Sequence, residues 1–200
     1  MTTRADACRF CRLYAIFVLA FAALVGVVSA AQMALGLGQV GGSELVVPAL
    51  ALNALRSLAP GVSGSALLVT LVIWAHPLPA PQVRAELPRF LKLALLISVP
   101  GYLGAAVVIL ATGWLVSAAV LGVSGSMLRA AWHAVSPLDW GVGLLGTLVD
   151  AGLIAFLAWR YLARLQAGRS SLPMKLVLAW TFGTGLRMTA GLLLSLLLPA

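Results

Sequence analysis

Arg56, Asp150 and Arg187 each interrupt a long apolar run. On insertion scales a charge at mid-bilayer costs about 2.5–3.5 kcal/mol, so such residues persist where they pair, line a polar path or bind something. Asp150 lies about ten residues before Arg160, roughly 15 Å of helix, and Arg187 about twelve residues after Lys175, roughly 18 Å. On antiparallel helices the two reach similar depth. The sequence therefore predicts that Asp150 pairs with Arg187, which removes much of the cost of burying either alone. Such a pair either fixes the register of two helices or belongs to a polar path. Arg56 precedes Pro60 and Gly61 in a polar stretch with Asn53, Ser57, Ser63 and Ser65. Its guanidinium is placed either to meet a lipid headgroup or another anion, or to snorkel to the membrane surface. Gly-x-Ser-Gly occurs at 61–64 and again at 122–125, within the repeated pentapeptide Gly-Val-Ser-Gly-Ser. A serine nucleophile needs a base within hydrogen-bond reach. His76 and His133 fall in connecting segments, so these serines read as packing residues. Cys8 and Cys11 make one C-x-x-C, half of a tetrahedral zinc site with nothing nearby to complete it. There is no H-E-x-x-H, no phosphate-binding glycine loop and no carboxylate pair. The chain is expected to be no enzyme and to hold no metal or cofactor, and ATP-driven work would need a partner.

What must position these groups is a set of helices in lipid. Of 200 residues 62% are hydrophobic and 9% charged, against roughly 45–50% and 25% in soluble domains. A chain of this size cannot hide so much apolar surface from water. Runs of spanning length, about 20 residues each, predict a single all-α transmembrane domain over 1–200 with five helices at 13–37, 45–75, 90–122, 138–161 and 174–198. The second run is longer than a bilayer core requires, so this helix should kink near Pro60 or project from the membrane. Glycines at 36, 38, 41 and 42, the segment from His76 to Arg89 with its prolines, the stretch from Ser124 to Pro137, and Arg164 to Pro173 separate the spans.

The net charge of +8 reads as topology rather than nucleic-acid binding. With the N-terminus cytoplasmic, ten of the thirteen Lys and Arg (residues 4, 9, 12, 84, 89, 92, 160, 164, 169 and 175) fall on the inner side, as the positive-inside rule requires. Only Arg129 falls outside, and five passes leave the C-terminus outside. Arg4, Arg9 and Arg12 before an apolar stretch, with Val28-Ser29-Ala30 after it, also fit a signal peptide, whose cleavage would leave four spans. The stretch from Leu13 to about Ala31 exceeds the 7–15 residues usual for such a region and is read as a span.

In order along the chain, Gly26-Val27-Val28-Ser29-Ala30-Ala31-Gln32, Ala54-Leu55-Arg56-Ser57-Leu58-Ala59-Pro60-Gly61-Val62, Pro88-Arg89-Phe90, and Gly113-Trp114-Leu115-Val116 followed by Trp132 and Asp139 resemble the motifs of the MlaE/YrbE family of ABC-transporter permeases. That resemblance implies a five-span permease fold with a cytoplasmic N-terminus in the bacterial inner (cytoplasmic) membrane. It also implies movement of phospholipid or another lipid, a dimer of permeases, an ABC ATPase and an MCE-domain protein as partners, and Gln32, Arg56 and Pro60 near the lipid path. Ser57 stands where the family carries Glu. Asp150 and Arg187 stand where it tends to carry Lys and Asp, a swap that keeps a pair. The segment between the second and third spans, which docks the ATPase in the family, is cut to a short Pro-rich loop, and only about twelve residues precede the first span. The resemblance thus implies a divergent subunit beside a more typical permease. Two other readings stand beside it. One is a structural or assembly subunit with no transport path; the other, an ion-linked carrier using Asp150, has no second acidic residue in the inner three spans.

Overall fold

The computed structural model describes residues 4–38, 43–122, 125, 129, 133, 135–164, 171–181 and 183. All its regular elements are helical, with no strand among the described residues. They are α1 (Arg4–Gly38), α2 (Ser43–Asn53), a π-helical turn (Ala54–Leu58), α3 (Ala59–Ala75), α4 (Ala80–Leu121), α5 (Pro137–Leu157), a second π-helical turn (Ala158–Leu162) and α6 (Leu172–Thr181). Four stretches, Ala5–Gln32, Pro48–Ala75, Ala80–Val120 and Pro137–Leu162, are long and apolar enough to cross a membrane, and α6 is a shorter apolar helix. This is the architecture of a multi-pass membrane protein. The expected fifth span at 174–198 falls largely outside the described residues.

The helix from Pro48 to Ala75 is the centre of the bundle, with 67% of its most apolar window buried, against 33–39% for the others. Its inward side chains are small or medium: Ala54, Ala59, Ser63, Ala66, Leu67, Thr70, Leu71 and Ala75 are all shielded. In lipid, helices gain no hydrophobic drive from meeting one another, so close backbone approach and short polar contacts hold them. Gly101 on α4 shows this, because a Cβ there would strike the ring and hydroxyl of Tyr14 on α1. Gly143 on α5 likewise lets the carbonyl of Leu55 and the phenol of Tyr102 approach. The Tyr14 hydroxyl and Ser63 Oγ are 2.7 Å apart, and Ser63 Oγ donates to the Ser98 carbonyl at 3.2 Å. That chain of contacts ties α1, α3 and α4 together. Outward, Leu24, Leu96, Val107, Leu115, Val120 and Leu145 are exposed, the apolar surface that lipid would cover.

The structure changes two expectations about prolines. The expected loop from His76 to Arg89 shrinks to four residues, because helix resumes at Ala80 rather than 90. Pro81 falls in the first turn, where a missing N–H has no helical partner to lose, and Pro88 is carried inside α4. The kink expected at Pro60 takes the form of a wider turn just before it. Proline cannot donate to the carbonyl four residues back, and here Ala59 N–H bonds the Ala54 carbonyl, five residues back. Such single wide turns are frequent at functional positions. At its far end α4 stops on Gly122, whose φ of 64° is the left-handed conformation that favours glycine.

Candidate functional site

The polar residues expected inside the bundle separate into two places. The first lies where the π-turn at 54–58 meets the start of α5. Asp139 is nearly buried and closes a capping box: Ser136 N–H and Ser136 Oγ donate to its Oδ2 at 2.7 and 2.8 Å, and Asp139 N–H reaches back to Ser136 Oγ at 3.4 Å. Its other oxygen, Oδ1, accepts from Arg56 Nε at 2.6 Å, with a second guanidinium nitrogen at 2.5 Å. Arg56 therefore does not simply snorkel: it spends one edge of its guanidinium on a carboxylate 83 residues away. Half of the side chain stays open, at 51% exposure, so N–H groups remain for a further acceptor.

Between α1 and α3 runs a groove of about 440 Å³, bounded by Phe21, Leu24 and Val25 of α1, by Ser57, Leu58, Gly61, Val62 and Ser65 on the π-turn and α3, and by Trp180 of α6. Trp180 meets Phe21 edge to face, ring centroids 6.3 Å apart. Gly61 forms part of the floor, and nothing lies within 4 Å of where its Cβ would be. The walls are apolar apart from Ser57 and Ser65. Pro60 faces the other way, its ring packed beside Gly146 of α5, and so shapes the groove through the turn it imposes rather than by lining it. Gln32 is exposed near the end of α1 and does not line this groove.

The second place is the middle of α5. Asp150 is 8% exposed and shares an inward face with Thr147, Ala151 and Ile154, and it is engaged by a neighbour. Its expected partner Arg187 lies outside the described residues. Ser63, singled out for its Gly-x-Ser-Gly setting, is fully buried with Tyr14 and the Ser98 carbonyl as partners; Ser124 lies outside the described residues. Cys8 and Cys11 are free thiols one turn apart on α1, and no group of three His, Cys, Asp or Glu side chains gathers among the described residues.

Sequence reasoning matched Asp139 to a motif without assigning it a partner. Two signals were available. Ser136-Pro137-Leu138-Asp139 is an N-cap signature, with a polar cap followed three residues later by an acceptor. Asp139 is also the lone acid in the first turn of its helix, at the same end of the bundle as Arg56. Comparison with protein-family models, with curated proteins and with solved structures gives no match.

Proposed function

We propose that the chain is a permease-like transmembrane subunit of an ABC-type lipid-transport system, a divergent partner of a more typical permease in the bacterial inner membrane. In this reading its N-terminus is cytoplasmic, it works as a homo- or heterodimer of permeases, and an ATPase and an MCE-domain protein supply the drive and the route. The groove between α1 and α3 carries the proposal. Binding sites for small apolar ligands occupy about 300–1,000 Å³, with mostly apolar walls and a few polar groups that set orientation. The groove has that size and that lining. An acyl chain fits its walls, and the open edge of Arg56, next in the chain to Ser57, supplies charge-assisted donors for a phosphate. Asp139 holds one edge of the guanidinium in place, so its remaining donors are offered to a phosphate at the mouth of the groove with little new ordering cost. An assembly subunit with no transport path would have this crossing filled by side chains.

The test uses a phospholipid with a photoreactive group on its acyl chain, incorporated into membranes that hold the protein. Labelled peptides should come from residues 21–25 and 57–65, and Gly61→Trp should remove that labelling while leaving the protein folded. Labelling spread evenly over Leu96, Val107 and Leu145 would sink the groove as a lipid site. Isolation of the protein from its own membrane should bring the ATPase and the MCE-domain protein with it, and their absence would sink the assembly.

A further inference from the structure

At the opposite end of the bundle from Arg56, α4 begins and the second π-turn ends α5. Arg84 and Leu87 of α4 face Trp159, Arg160, Ala163 and Arg164 across an open groove of about 330 Å³. No carboxylate lines it, and none of the three arginines has an ion pair or side-chain hydrogen bond among the described residues. Elsewhere on this surface basic residues do find partners, as Arg89 does. Three guanidiniums gathered without an acid repel one another, and an anion between them relieves that.

A second feature narrows the anion. Arg164 also borders an apolar cavity of about 210 Å³ whose walls include Leu68, Leu71, Leu157, Tyr161 and Ala179. The π-turn therefore serves both spaces, with Trp159 and Arg160 on the charged one and Ala158, Tyr161 and Leu162 on the apolar one. A ligand matching both is charged at one end and hydrocarbon at the other. Trp159 is 63% exposed, in keeping with the interfacial belt where tryptophan rings sit at headgroup depth.

We propose that Arg84, Arg160 and Arg164 form a binding site for the phosphate headgroup of an anionic phospholipid, with part of an acyl chain against the Leu68, Tyr161 and Ala179 wall. Basic pockets between helices at a membrane surface are suited to such headgroups. The site is separate from the Arg56 groove and does not depend on transport: it holds a resident lipid that braces α4 against the end of α5.

The experiment places the full chain in nanodiscs of phosphatidylcholine containing a small share of phosphatidic acid or cardiolipin and measures retained lipid by native mass spectrometry. A charge-assisted hydrogen bond from a guanidinium to a phosphate is worth roughly tenfold or more in affinity, so R84Q/R160Q/R164Q should lower anionic-lipid retention at least tenfold. R4Q/R9Q/R12Q, which removes the same charge from the same end, should change it less than twofold. A doxyl-labelled anionic lipid should quench a component of tryptophan emission that Trp159→Phe deletes, an independent readout if the triple variant misfolds. Equal losses in the two triple variants would reduce the site to general surface charge and overturn the proposal. So would displacement of the lipid by millimolar inorganic phosphate, which needs no hydrocarbon wall. Unchanged lipid with loss of an acidic companion protein would assign the arginines to a protein contact instead, and also overturn it.

Discussion

Asp139 does two jobs with two oxygens, and that division predicts how its loss differs from the loss of Arg56. Oδ2 completes the cap of α5, while Oδ1 holds the guanidinium. Ser136→Ala removes the cap alone and should cost about 1 kcal/mol. Asp139→Ala removes the carboxylate half of the capping box and the ion pair and strands Arg56, so it should cost more than either Ser136→Ala or Arg56→Ala. In a double-mutant cycle Arg56 and Asp139 should show a coupling in the lower part of the range of about 0.5–3 kcal/mol found for neighbours in one network, because Arg56 is half open to solvent and screened. Unfolding in mixed micelles reads all four values, and additivity would remove the pair from the account. The pairing proposed for Asp150 and Arg187 is open to the same treatment: Asp150→Asn and Arg187→Gln should each destabilise, and together by less than their sum. Arg56 shows what one chain read alone does and does not reveal. Its cost inside an apolar run was legible, but the partner lies 83 residues away, and a long-range ion pair leaves no spacing to read.

Helix packing is set by where side chains are missing. Gly101 and Gly104 stand one turn apart on α4 in opposite circumstances: a Cβ at 101 collides with Tyr14, whereas at 104 it meets nothing within 4 Å. Gly101→Ala should therefore force α1 and α4 apart, costing about 1–3 kcal/mol as overpacking does. Gly104→Ala should be neutral or stabilising by up to about 1 kcal/mol, the helix-propensity gain of alanine over glycine. Thermal unfolding in one detergent compares them, and equal effects would mean the Tyr14 contact is not rigid. The same distinction explains which boundaries could be read from sequence. Hydropathy located the apolar stretches because lipid crossing demands about 20 apolar residues. It places the start of α4 too late because Pro81 and Pro88 read as breaks, although a first-turn proline suits a helix and one inside it is tolerated here. Pro60 predicts a kink, but the place of the wide turn at 54–58, just before it, follows from hydrogen-bond accounting that hydropathy does not carry.

At the scale of the whole molecule, charge separates the two ends of the bundle. The start of α1, the join between α3 and α4, and the end of α5 lie together: Phe10 meets Phe90 at 5.2 Å between ring centroids, Trp74 meets Phe90 at 4.1 Å, and Arg84 faces Arg160 across a groove. Arg9, Arg12, Arg89 and Lys92 belong to the same end, and Arg56 with Asp139 to the other. Because arginine and lysine gather on the cytoplasmic side, the clustered end should face the cytoplasm. Cys8 is exposed near that end and makes the expectation measurable without a new residue. In right-side-out vesicles a membrane-impermeant maleimide should leave Cys8 unmodified until the vesicles are opened. A protease-sensitive tag added after Ala200 should be cut from outside without opening. Modification of Cys8 in sealed vesicles would reverse the orientation. A tag protected together with Cys8 would put both termini on one side and require an even number of crossings. In that case Arg187 would no longer run antiparallel to Asp150 at matching depth, and the pairing proposed for those two charges would lose its geometric basis.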